Sequence, residues 1–227
     1  ITASNSVTSG AFKIAPNGGT ALEMGINNLT TSALMLSGTT DFSITGTGAF
    51  NGPATKYIYV TDANTTLSMS QIMSGSNQPL TKAGEGFLNL NKATTQFTPT
   101  TATGGGINIV AGTLRGTSAS LGGGASSGGA FTTINLRGGV LEIDGGGSSS
   151  TFIRAIDLTG TVGGGGITFD AGASSRGNGG FSAINGNATV TLVTFIGGPA
   201  AAGLVWNNNA FLSNGYALTM GSTKADS

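Results

Sequence analysis

The chain has 227 residues, of which 41 are glycine, and its 9 Lys plus Arg balance 9 Asp plus Glu at a charged fraction of only 8%. That balance leaves no basic footprint for nucleic acid and no polybasic patch for anionic lipid, so neither partner is expected. Cysteine and histidine are both absent, which excludes disulfides, thiolate metal sites, a cysteine nucleophile and the commonest general base.

Hydrophobic residues make up 38% of the chain, in short dispersed runs that can bury a core. No run approaches the roughly 18 apolar residues of a membrane helix, so no membrane insertion by this segment is expected. Ile1 opens directly into polar alternating sequence, and any export signal is expected to have been removed or to lie outside this stretch.

The dominant period is two. In chain order, Phe42-Ser43-Ile44, Tyr57-Ile58-Tyr59-Val60, Phe87-Leu88-Asn89-Leu90 and Ile107-Asn108-Ile109-Val110 predict strands. Thr132-Thr133-Ile134-Asn135-Leu136, Val140-Leu141-Glu142-Ile143 and Thr189-Val190-Thr191-Leu192-Val193 continue the series. Each is closed by Gly, Asn, Asp or Ser, the residues that turn chains tightly. Ser68-Met69-Ser70-Gln71-Ile72-Met73 is the best helical candidate, and it is short. The chain therefore reads as nearly all β.

Asn-Gly and Asp-Gly pairs occur at Asn17-Gly18, Asn51-Gly52, Asp144-Gly145, Asn185-Gly186 and Asn214-Gly215, at irregular intervals. Hairpin proteins prefer such pairs between strands of matched length. Here the longer runs Gly104-Gly105-Gly106, Gly122-Gly123-Gly124, Gly145-Gly146-Gly147 and Gly163-Gly164-Gly165-Gly166 suit the corners and loops of a parallel solenoid better than a sandwich or barrel.

Residues 80–114 carry a more specific signal. They read Leu80-Thr81-Lys82-Ala83-Gly84-Glu85-Gly86-Phe87-Leu88-Asn89-Leu90, a polar spacer, then Gly104-Gly105-Gly106-Ile107-Asn108-Ile109-Val110-Ala111-Gly112-Thr113-Leu114. This resembles the autotransporter-associated β-strand repeat, whose pattern runs Leu-x-Lys-x-Gly-x-Gly-x-Leu-x-Leu, a Gly-rich spacer, then Gly-x-x-x-Ile-x-x-Gly-x-Leu. The stretch from Ile134 to Ile143 looks like the rung that follows it. Gly179-Gly180-Phe181-Ser182-Ala183, Leu204-Val205-Trp206 and Leu212 to Ser222 are similar to the long repeats of large exported bacterial proteins. The resemblance implies a right-handed parallel β-helix, export to the bacterial cell surface, and a structural or adhesive role.

Candidate chemistry is sparse. The carboxylates are Glu23, Asp41, Asp62, Glu85, Glu142, Asp144, Asp157, Asp170 and Asp226. Glu142 and Asp144, preceded by Arg137, have the spacing to share a strand face, as a carbohydrate-active β-helix enzyme would need. Flanking a glycine turn, they are expected to sit in solvent. Gly164-Gly165-Gly166-Ile167-Thr168-Phe169-Asp170 superficially matches a calcium-binding β-roll unit, but its Asp comes too late and the unit does not recur, so a turn-capping Asp is expected. Asn28-Leu29-Thr30, Asn64-Thr65-Thr66 and Asn187-Ala188-Thr189 are glycosylation sequons by pattern. Trp206 and Tyr216 are expected to pack on the stack rather than bind sugar.

The expectation is thus one elongated all-β domain over residues 1–227, a right-handed parallel β-helix with Gly-rich corners. Its repeat core spans 80–114, with following rungs over 131–222. Roughly ten coils of about 20 to 25 residues would give a length on the order of 50 Å. No catalytic, cofactor-binding or metal residue is expected, and no enzyme activity. Neither terminus reads as a charged or helical cap, so the expected partners are further copies of the chain, stacked head to tail into an extracellular filament, or adjacent repeats of a longer chain. An autotransporter-type passenger adhesin with surface glycan contact, and a carbohydrate-active enzyme, are the alternatives.

Overall fold

The computed structural model describes residues 12–14, 22–23, 31–45, 50–51, 55–71, 79–91, 106–121, 132–147, 150–156, 166–169, 178–193, 211–212 and 214–224. These residues form strands and their connections, with no helix among them. In chain order the strands are β1 (Phe12–Ile14), β2 (Leu22–Glu23), β3 (Thr31–Leu36), β4 (Phe42–Ile44), β5 (Phe50–Asn51) and β6 (Thr55–Val60). Then come β7 (Thr66–Met69), β8 (Leu80–Ala83), β9 (Phe87–Leu90), β10 (Ile107–Ile109), β11 (Thr113–Gly116) and β12 (Ile134–Leu136). The last six are β13 (Val140–Asp144), β14 (Ser150–Ile156), β15 (Gly166–Phe169), β16 (Gly179–Ile184), β17 (Ala188–Val193) and β18 (Leu218–Met220).

All described pairings are parallel. The first sheet runs β1-β4-β7-β9-β11-β13-β16-β18, strictly in chain order. The second runs β3-β6-β8-β10-β12-β15, and then β14 and β17. On each pass the chain leaves a strand of the second sheet and enters one of the first: β6 to β7, β8 to β9, β10 to β11, β12 to β13. β14 and β17 follow β13 and β16 as β2 and β5 follow β1 and β4. They pair from Ser150 opposite Ala188 to Ala155 opposite Val193, and the end of β14 joins that pair to β15. β2 and β5 form a separate two-stranded sheet.

The core follows from register. Alternate side chains of a strand share a face, so in-register parallel pairing stacks like positions into columns. Leu67, Leu88, Leu114, Leu141 and Phe181 form one column of the first sheet. Ile58, Lys82, Ile109, Leu136 and Phe169 form one of the second. Every member except Lys82 belongs to a single buried cluster. The two columns meet where the Phe169 ring packs edge-on against Phe181 at 6.1 Å.

Corners between the sheets need residues with no side chain to place. Gly84 has φ +75, and a Cβ there would stand 2.3 Å from Val60 O. Gly112, at φ +63 directly above, would place one 2.4 Å from Gly84 O. Successive passes thus lie backbone on backbone at this corner, and only glycine permits that approach.

Two sequence expectations change. Of the helical candidate Ser68 to Met73, Ser68 and Met69 belong to strand β7, because Phe42-Ser43-Ile44 and Leu88-Asn89-Leu90 pair with it on both sides, and Ile72 and Met73 lie outside the described residues. Pass length is less even than expected: in the first sheet, partners lie 21 residues apart at Leu67 and Leu88 (88 − 67) but 40 apart at Leu141 and Phe181 (181 − 141). Its eight strands give a depth of about 34 Å at the usual strand spacing of about 4.8 Å.

Leu88→Asp or Leu114→Asp places an unpaired carboxylate in a buried apolar column. Either is expected to cost more than about 4 kcal/mol, read as the loss of a cooperative urea transition. A variant melting with the parent contradicts the column assignment.

Candidate functional site

Two groups of buried polar side chains stand out, one inside the stack and one on the far face of the first sheet. Inside, Lys82 occupies a column position between Ile58 and Ile109 and is 0% exposed. Its stem replaces an aliphatic side chain, and its ammonium reaches the glycine corner. Nζ donates to Ala83 O at 2.9 Å, Gly84 O at 2.6 Å and Ala111 O at 3.1 Å. An ammonium has three donors, and all three are used on carbonyls of two successive passes. Burial pushes the Lys82 amine down from 10.5 to about 8, with the Glu85 carboxylate acting in the opposite direction. Lys56, opposite Leu80 one pass earlier, is also buried, and its amine is likewise pushed down by burial.

On the far face, Arg115 and Glu142 are register partners on β11 and β13. Arg115 Nε donates to Glu142 Oε1 at 2.5 Å. Glu142 Oε2 accepts from Ser182 Oγ at 3.1 Å and from Ser222 Oγ. Phe87, on β9, lies under two cations: the Arg115 guanidinium carbon is 5.4 Å from the ring centroid and Lys224 Nζ is 4.9 Å from it. Both Phe87 and Glu142 are buried although they face away from the core columns, because residues 221–224 cross over them.

This arrangement corrects the expectation for Glu142. It is not in solvent: it is 0% exposed, and its charge partner is Arg115 rather than Arg137, which is exposed. Asp144 caps its own turn, accepting from Gly146 N at 2.9 Å and from Asn185 Nδ2 at 3.1 Å. The two carboxylates share a strand face but act on different partners. Asp41 and Asp62 also serve backbone: Asp41 Oδ1 accepts from Thr66 N at 2.7 Å, and Asp62 Oδ1 from Asn64 N at 2.9 Å. Asn64 and Asn187 are exposed, and Tyr216 is half-buried against the core cluster. Asn28, Asp157, Asp170, Trp206 and Asp226 lie outside the described residues, and with Asp170 the calcium-like unit. Among the described residues no group of three His, Cys, Asp or Glu can hold a metal ion, and no helix is long and apolar enough to cross a membrane.

The second sheet carries an outer polar ladder. Asn108 Nδ2 donates to Thr81 Oγ1 at 3.3 Å, Asn135 Nδ2 to Asn108 Oδ1 at 2.8 Å, and Thr168 Oγ1 to Asn135 Oδ1 at 2.6 Å. Tyr57 continues this row and stacks on Tyr59, with ring centroids 6.3 Å apart. No family model matches the chain, and neither a curated protein nor a solved structure matches it.

Two outcomes are expected. Glu142→Ala leaves the mostly buried Arg115 guanidinium without its carboxylate and should cost about 3–5 kcal/mol. The paired change Arg115→Met with Glu142→Leu should recover most of that in urea melts, and equal loss in both would contradict the pairing. Lys82 sets a pH dependence. Its folded pKa is lowered, so between pH 8 and 10.5 the unfolded chain holds a proton the folded chain releases, and stability rises with pH. The parent should therefore gain stability relative to Lys82→Met from pH 7 to 10, and a constant difference would contradict the placement of the amine.

Proposed function

We propose that the chain is a segment of right-handed parallel β-helix of the autotransporter-associated repeat type. It serves outside the cell as a non-enzymatic structural protein whose copies stack end to end. The observation that carries this reading is Met220. It continues the inner column of the first sheet, directly above Phe181, yet it is 74% exposed. A core position left open on a strand beyond which no other pairs among the described residues is a template for another parallel strand. That strand belongs to a second copy or a further repeat.

Surface chemistry supports the same reading. With 8% charged residues, copies have little electrostatic repulsion to overcome on approach. Asp62 and Asp144 hold turns, Asp41 accepts from the Thr66 amide of the next pass and Glu142 is in an ion pair, which fits a structural role better than acid–base chemistry. Location at the cell surface rests on the resemblance over residues 80–114 and 131–222. A passenger adhesin is the second reading, and the stacked Tyr57 and Tyr59 favour it, since Tyr59 is 38% exposed and a stacked aromatic pair can serve as a sugar platform.

Electron microscopy and sedimentation at rising concentration test the first reading. The parent should lengthen into filaments, and Met220→Lys, which places a charge on the stacking edge, should stay monomeric and folded. Short rods of one length at every parent concentration would overturn it.

A further inference from the structure

The far face of the first sheet is closed by the chain itself. Gly221 N donates to Phe181 O at 2.8 Å and then, at φ +99, turns the chain over that face. Ser222 Oγ donates to Glu142 Oε2, and Lys224 Nζ donates to Thr66 Oγ1 at 2.8 Å while lying over the Phe87 ring. Leaving β18, Lys224 therefore reaches β9 and β7, four and five strands away in the sheet.

This clasp is held differently from the core. No atom lies within 4 Å of where a Cβ on Gly221 would stand, so the turn has open space on that side. Thr223 is exposed, and no side chain of residues 221–224 belongs to the core cluster. Its contacts are hydrogen bonds and a cation–π contact, and a released clasp leaves the Phe87 ring and the Glu142 carboxylate to be covered again.

End-to-end stacking would set β1 of the next copy against β18, followed by that copy's β4, β7 and β9. Its β9 would then also lie four strands from β18, the same reach as within one chain, and its β7 three. We propose that residues 221–224 are an exchangeable clasp: across a joint between copies, Lys224 of one copy seats on Phe87 and Thr66 of the next. The inference rests on the stacking proposed above. It adds a non-covalent tie across each joint and gives the Thr66–Phe87 face a ligand class, a lysine side chain from a second copy.

The chain has no cysteine, which makes the test direct. One preparation carries Ser68→Cys on β7, and a second carries Thr223→Cys. Neither side chain makes a clasp contact. The two are mixed under conditions where filaments are seen and treated with a short bismaleimide. The expected product joins one chain of each kind. It should disappear when Lys224→Gln is added to the second preparation and return with Lys224→Arg, which keeps the charge over the ring. Filaments with no inter-chain product, or a product indifferent to Lys224→Gln, would overturn the exchange and leave stacking intact. No filaments at all would overturn both.

Discussion

Parallel in-register pairing is the constraint on which the rest depends. A strand here buries its inner face chiefly against the strands before and after it, so each residue answers to a column. The column Leu67, Leu88, Leu114, Leu141 and Phe181 shows what that selects: apolar side chains at each level, with pass length free to vary between levels. Pairing fixes the strands and not the length of chain between them, which is how partners 21 residues apart (88 − 67) and 40 apart (181 − 141), the latter with β14 and β15 in between, share one sheet.

The same constraint explains a lysine in the core. At the corner after β8 the backbone turns and its carbonyls leave the ladder. Glycines let passes lie against one another there, but they donate nothing from a side chain. Lys82 supplies three donors from a stem that fills a column position, and so ties the carbonyls of one pass to that of the next. A buried carbonyl without a partner costs about 1–3 kcal/mol, comparable to the penalty of taking the amine out of water, so the two offset each other. Glu142 follows the same principle on the other face, where Arg115, Ser182 and Ser222 satisfy a carboxylate that residues 221–224 shut away from water.

Much of the strand layout was legible in the sequence, because period-two runs such as Phe87 to Leu90 and Ile107 to Ile109 bury alternate positions on columns, and that pattern is local. Gly84 and Gly112 were legible as fixed positions of the repeat-like motif over residues 80–114. Their shared role with Lys82 was not, since nothing in Leu-x-Lys-x-Gly says that the lysine points inward and reaches a carbonyl 29 residues later. Glu142 was misread because local spacing pairs it with Arg137 and a glycine turn. Its actual partners, Arg115, Ser182 and Ser222, lie 27, 40 and 80 residues away and meet only through sheet register and the returning clasp. Ser68 and Met69, which open the run with helical spacing, are held in β7 by the ladders on both sides.

Fibre diffraction from aligned assemblies tests the central proposal most directly. Copies stacked end to end as a parallel β-helix place their strands across the fibre axis, so the spacing of about 4.8 Å must appear along that axis. A matching reflection perpendicular to the axis, or aligned material with no axial strand spacing, would contradict end-to-end stacking.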